Sequence, residues 1–201
     1  HELMQLLDDA ADHDRGPALT QGVLKHAKQS MLEATGGSRA ASQWGWKQPN
    51  SHVMTGLLDS CFPTMKYIYV VRNGLDMAFS TNQNQLKYFW GDILLDGDVS
   101  PCPRNSLRYW VASYRRILSQ REHLGDRLYL LNYDQLCTDP QPELEKLDCF
   151  LGFGTPGHRL IELASKVAPS ASMGRYQQED LSQFSLADIE FVRRVGFPID
   201  A

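Results

Sequence analysis

Long apolar runs are missing from this 201-residue sequence. Stretches such as Tyr67 to Val71 and Leu128 to Leu131 fall far short of the roughly 20 residues that cross a bilayer, so no membrane span is expected. Cysteine is scarce. Cys61, Cys102, Cys137 and Cys149 form neither a Cys-x-x-Cys pair nor zinc-ligand spacing, and they are sparse for a disulfide scaffold. They read as reduced thiols of a cytoplasmic protein, with no metal expected. Positive charge is not in excess: 20 Lys and Arg against 24 Asp and Glu give a formal net charge of −4. That excludes an electrostatic footprint for nonspecific nucleic-acid or anionic-membrane binding, although a local basic pocket can still hold a small anion. A signal peptide, an internal repeat, a low-complexity tract and a Gly-x-x-x-x-Gly-Lys-Ser/Thr loop are all lacking. The first residue is His1, not Met, and the sequence reads as an incomplete piece.

What is present is a 42% apolar composition, sufficient for a substantial core in one domain spanning 1–201. Leu3, Leu6, Leu7 and Ala10, then Val23, Leu24, Ala27, Met31 and Leu32, recur at helical spacing and predict two amphipathic helices. Gly36-Gly37-Ser38 stops the second, and Trp44 to Lys47 reads as a short strand leading into Pro49. A helix starting at Asn50 or Ser51 follows, with Val53, Met54, Leu57 and Leu58 on its buried face. Lys66 to Val71 and Arg127 to Tyr133 read as buried strands. Leu75 to Gln85 resumes helical periodicity, Leu86 to Asn105 is irregular and reads as a long surface loop or lid, and Ser106 to Leu124 is an amphipathic helix. Asp139-Pro140 opens another helix, and Ser185 to Asp188 resembles a capping box for the last one. Short strands alternating with helices predict an α/β layer with parallel strands.

In such a sheet, ligands gather at the carboxyl ends of the strands, where Arg72 falls, just before a turn and a helix N-terminus. With a helix from Leu75, Ser80 lies about 7 Å further along the axis, so one guanidinium fork and one hydroxyl could share an anion. The alternative is structural: Arg72 paired with Asp76 and Ser80 merely solvated. Lys47 offers a cation at a strand end, His52 a possible general base or a residue near a helix start, and Tyr133 a flat aromatic face or an ordinary core side chain. Lys87, Tyr88, Phe89 and Trp90 give the irregular segment an aromatic character suited to an acceptor pocket, or to pinning the loop.

The run from Phe62 to Ser80, Phe-Pro-Thr-Met-Lys-Tyr-Ile-Tyr-Val-Val-Arg-Asn-Gly-Leu-Asp-Met-Ala-Phe-Ser, closely resembles the 3′-phosphate-binding segment of sulfotransferases, including the eight-residue offset from Arg72 to Ser80. Gly45 to Pro49 resembles the family's Lys-containing strand end, Leu130 to Leu136 its Tyr-Glu-Asp-Leu segment, and Asp139-Pro140 followed by Phe150-Leu151-Gly152 keeps the family's order. The resemblance spans about half of the chain, from Trp44 to Gly152.

It implies a P-loop-like parallel sheet flanked by helices and transfer of a sulfuryl group from 3′-phosphoadenosine 5′-phosphosulfate (PAPS) to an acceptor hydroxyl or amine, with no metal. By the same resemblance Arg72 and Ser80 bind the 3′-phosphate, Tyr133 lies beside the adenine, Lys47 supplies the cation and His52 stands in for a base that the cytosolic branch places two residues after its Lys, here Pro49. Arg175, in Ser172-Met-Gly-Arg-Tyr176, resembles a nucleotide-approaching element of bacterial members. The absent Arg-Lys-Gly motif points away from the steroid and phenol branch toward the bacterial or carbohydrate type. The first strand and phosphosulfate loop are expected upstream of His1, because Thr35 to Arg39 follows a helix instead of a strand. Two other readings stand beside this one: a noncatalytic nucleotide-binding or interaction domain, and a small P-loop-type kinase.

Overall fold

The computed structural model describes residues 45–199. The two helices predicted from Leu3 to Leu32, the Gly36 to Ser38 stop and the Thr35 to Arg39 stretch lie outside that range. The chain divides into two compact units between Met65 and Lys66.

In the first unit, residues 45–48 are exposed and have no regular structure. The strand predicted up to Lys47 is therefore not formed by its described residues. The chain turns there instead, with the Ser51 N–H donating to the Gln48 carbonyl at 3.2 Å. A 3-10 turn, Ser51–Val53, leads into helix α1, Thr55–Cys61, whose Thr55, Leu58 and Cys61 are buried. Trp46 closes over this segment, its ring 5.8 Å from Phe62 and its indole N–H donating to Ser51 Oγ at 3.4 Å.

The second unit is built on two parallel strands, β1, Tyr67–Val71, and β2, Leu128–Asn132. Their register pairs Tyr67 with Leu128 and Val71 with Asn132. Both strands match the predicted ones to within a residue at each end. A parallel pair needs a helical crossover, and four helices supply it: α2, Gly74–Ala78; α3, Gly91–Leu94; α4, Pro103–Ser119; and α5, Arg121–Leu124. After β2 come α6, Tyr133–Thr138; α7, Pro140–Leu151; α8, Gly157–Ala164; and α9, Leu186–Arg194. Ser185 caps α9 as predicted, accepting from the Asp188 N–H at 3.1 Å. The result is an α/β arrangement, a small parallel sheet flanked by helices.

Several predicted boundaries move: the helix expected from Asn50 or Ser51 starts at Thr55 after the 3-10 turn, and the one expected over Ser106 to Leu124 starts at Pro103 and breaks at Gln120. The helix expected to run from Leu75 to Gln85 ends at Ala78. The reason is local: Ser80 Oγ accepts from the Asn82 N–H and Asn82 Oδ1 from the Asn84 N–H, both at 3.2 Å, and such side-chain bonds compete with helical ones. The segment expected to be a loop from Leu86 is partly helical, with a π-helical turn at Gln85–Trp90 running into α3; only 95–102 is irregular.

The core lies between the sheet, α2, α4 and α9. Val71, Leu75, Leu107, Trp110, Tyr114, Phe191, Val192 and Phe197 form one buried cluster. Leu75 and Leu107 are fully enclosed, and burying a side chain of this size stabilises by about 1.5–3 kcal/mol. Trp110 is the hub, its ring within 5.2 to 6.2 Å of Tyr114, Phe197 and Phe191. A Cβ on Gly74 would come 2.7 Å from that ring, so glycine is what lets α2 lie against α4.

Candidate functional site

Because β1 and β2 are parallel and adjacent, their next residues, Arg72 and Tyr133, emerge side by side at the carboxyl edge. The Arg72 guanidinium carbon lies 4.7 Å from the Tyr133 ring centroid, within cation–π range. Each strand then passes into a helix through an asparagine. Asn73 accepts from the Leu75 N–H at 2.9 Å, and Asn132 accepts from the Asp134 and Gln135 N–H groups at 3.0 and 3.1 Å. The two ends are also joined directly, by the Asn73 N–H donating to Asp134 Oδ2 at 3.3 Å. On the core side the Trp110 indole N–H donates to the Arg72 carbonyl at 3.2 Å, so the backbone that carries the guanidinium is braced from beneath.

A segment a hundred residues later completes the arrangement. Arg72 Nη2 donates to Ser172 Oγ at 2.6 Å, and Ser172 Oγ lies 2.8 Å from Ser170 Oγ. Arg175 donates from Nη1 to the Phe79 carbonyl at 3.1 Å and from Nε to the Ser172 carbonyl at 3.3 Å. Asp76 accepts the N–H of Gly174 at 2.8 Å and that of Tyr176 at 3.2 Å. The alternative sequence reading, an Arg72–Asp76 ion pair, is not what forms: Asp76 takes the two backbone amides and the Arg72 guanidinium donates to Ser172.

The site is rich in donors. Arg72 Nε is buried and meets no acceptor in the protein, leaving an N–H that favours an incoming anion, since an unpaired buried donor is costly. Arg175 adds a second guanidinium. Against them stands Asp134, half-buried, with Oδ1 enclosed and without a partner. Burial raises its pKa, with a further push from Asp76, while the Asn73 N–H and Arg72 pull the other way. The Tyr133 hydroxyl is also raised, first by hydrogen bonding with the Cys137 thiol and then by burial, and stays protonated at neutral pH.

Of the residues singled out in the sequence, Arg72, Tyr133 and Arg175 are linked through these contacts. Ser80 is one residue beyond Phe79, whose carbonyl binds Arg175, but it sits past the end of α2 instead of on a helical turn. Its hydroxyl accepts from Asn82. Lys47 and His52 belong to the first unit. Lys47 is exposed. His52 is only 5% exposed, and its Nδ1 lies 2.8 Å from the Pro49 carbonyl, a contact that favours the tautomer with the proton on Nδ1. Sequence reasoning missed Ser172, Asp134 and the true partners of Asp76. The string around Arg175 held the first, while nothing local in the sequence announces that Asp76 reaches residues 98 and 100 positions away.

The family model for sulfotransferases matches residues 3–156. This chain belongs to the sulfotransferase family. Within the sulfotransferase, the matched stretch holds Arg72, Asp76 and Tyr133, whereas Ser172 and Arg175 come from beyond it. Neither a curated protein nor a solved structure matches the chain. Among the described residues no group of His, Cys, Asp and Glu is arranged to hold a metal, and no helix is long and apolar enough to cross a membrane. All four cysteines of the sulfotransferase are free thiols.

Proposed function

We propose that the chain is a PAPS-dependent sulfotransferase of the bacterial or carbohydrate type, with a P-loop-like sheet, and that the carboxyl edge of β1 and β2 binds the adenosine 3′-phosphate of the donor. The observation that carries this reading is the buried Arg72 Nε, a donor with no protein acceptor, at the strand end where the family's phosphate-binding arginine falls. Arg72 and Arg175 supply the charge, Ser80 and Ser172 hydroxyls, and Tyr133 a flat face beside the adenine. Charge-assisted contacts of this kind contribute about 1.5–3 kcal/mol each.

Transfer breaks the bond between sulfur and the bridging phosphosulfate oxygen and forms one from sulfur to the acceptor oxygen or nitrogen. Adenosine 3′,5′-bisphosphate leaves, and the acceptor proton passes to a base. In this reading Lys47 offsets the charge that grows on the leaving oxygens and His52 Nε2 takes the proton. Sulfuryl transfer, like phosphoryl transfer, depends chiefly on such positioning and charge compensation. Free thiols fit a cytoplasmic setting.

Calorimetry with adenosine 3′,5′-bisphosphate and adenosine 5′-monophosphate tests the reading. The bisphosphate is expected to bind at least about tenfold more tightly, an advantage that Arg72→Ala abolishes, since one contact of this class corresponds to roughly a tenfold or larger factor. A folded chain with no preference for the bisphosphate overturns it. Binding of the bisphosphate without any transfer of sulfuryl groups to a panel of hydroxyl and amine acceptors favours a noncatalytic nucleotide-binding domain instead.

A further inference from the structure

Asp76 is 4% exposed, and a carboxylate this enclosed is stable only if its oxygens are satisfied. Two backbone amides satisfy it, those of Gly174 and Tyr176. These flank Arg175. The geometry that lets one carboxylate take both amides is a left-handed turn: Gly174 has φ +75° and opens the 3-10 turn Arg175–Gln178. With the turn held there, Arg175 reaches back to the Phe79 carbonyl at the end of α2, and the preceding residues bring Ser172 to within 2.6 Å of Arg72 Nη2. Tyr176 is buried beneath, its hydroxyl donating to the Pro198 carbonyl at 3.2 Å, which anchors the far side of the turn. The loop thus meets α2 and the end of β1 through four hydrogen bonds, and only the two to Asp76 do not involve an arginine that faces the anion site.

We propose that Asp76 is a positioning residue for that site: its carboxylate fastens the Gly174 to Tyr176 turn onto α2 and so sets Arg175 and Ser172 against Arg72. The inference rests on the nucleotide reading above and extends it. The 3′-phosphate pocket is then composite. Half of it comes from the segment that the family model covers, half from a loop outside it, and a buried side chain that never touches the ligand joins the halves. Asp76 thereby determines specificity for the 3′-phosphate without contacting it.

The experiment compares the wild-type chain with Asp76→Asn and Asp76→Ala, titrating adenosine 3′,5′-bisphosphate and adenosine 5′-monophosphate and following amide hydrogen exchange at Gly174 and Tyr176. Asn keeps one acceptor oxygen and turns an NH2 toward the other amide. Asp76→Ala is expected to lower bisphosphate affinity about tenfold or more while monophosphate affinity moves by no more than about twofold, with Asp76→Asn between wild type and Ala. The Gly174 and Tyr176 amides should be protected in the wild type and exchange faster in both variants. Unchanged bisphosphate preference in a folded Asp76→Ala chain overturns the proposal, as does an equal loss of both nucleotides, which marks general destabilisation. If neither variant folds, wild-type exchange decides: amides at 174 and 176 that exchange as freely as those of an unfolded chain refute the clamp, and protected ones support it. A wild-type chain without bisphosphate preference defeats the nucleotide reading instead, a result recognisable because the exchange pattern of the turn is then intact.

Discussion

At the end of β1, Asn73 turns its side chain back onto α2; at the end of β2, Asn132 does the same for α6. The local device is identical, yet the surroundings differ. Behind Asn73, Gly74 lies under the Trp110 ring, the indole holds the Arg72 carbonyl, and Asp76 is closed off with both oxygens bonded. Behind Asn132, Tyr133 and Asp134 are half-buried, Tyr133 turns its ring to the Arg72 guanidinium, and Asp134 keeps one oxygen enclosed without a partner. The first end is a braced frame that fixes a backbone, the second an unfinished surface that retains electrostatic cost. Sites commonly divide in this manner, because a precise anion cradle needs a rigid support while the groups that meet the ligand stay incompletely satisfied.

The contrast can be broken first at its strongest point. Trp110→Ala removes the hub of the aromatic cluster and the bond to the Arg72 carbonyl, and a loss of about 3–5 kcal/mol is expected, measured by chemical denaturation. A loss below about 1 kcal/mol would mean that the β1 end is not braced from beneath. Gly74→Ala is next. Its Cβ would meet the indole at 2.7 Å, and overpacking of this kind costs about 1–3 kcal/mol; a neutral result would show that α2 shifts freely on α4.

The smallest effect has the opposite sign and belongs to the β2 end. A folded-state pKa raised above the ordinary aspartate value means that the protonated form of Asp134 suits the fold better. Its stabilisation is fully present below about pH 3.9 and lost as pH rises through the raised value. Asp134→Asn, which keeps an acceptor for the Asn73 N–H, is therefore expected to raise Tm at pH 7 by a few degrees at most, with the gain fading as the solution is acidified toward pH 3.5. A fall in Tm at pH 7 would show that the Arg72 attraction outweighs burial, and that the second end is as well satisfied as the first.

The strands and the main helices were legible in the sequence because their signals are local. Tyr67 to Val71 and Leu128 to Leu131 are short, apolar and bounded by turn residues, and Ser185 announces α9 by capping it. The place of Arg72 was legible because a strand end followed by a helix start is itself a sequence pattern. The misses come from competition and distance. The predicted helix runs past Ala78 although residues 80–85 are all polar, and Ser80 and Asn82 bond neighbouring backbone and end the helix. Gly91 reads as a break and instead starts a helical turn. At 45–48 the residue types suit a strand, but among the described residues the only ladder joins β1 and β2. Asp76 looked like a partner for Arg72 four residues earlier, and only tertiary structure reveals that it reaches Gly174 and Tyr176.

That reach also sets a timetable. At a synthesis rate of roughly 5–20 residues per second, the carboxylate at 76 leaves the ribosome some 5–20 seconds before the amides 98 and 100 positions later. For that interval the acid at 76 stays in water, and the turn that carries Arg175 can dock on α2 only once residues 174–176 have been made. Closing so long a loop costs only a little more than closing one half its length, about 0.6 kcal/mol. Late docking of that turn therefore carries little thermodynamic penalty.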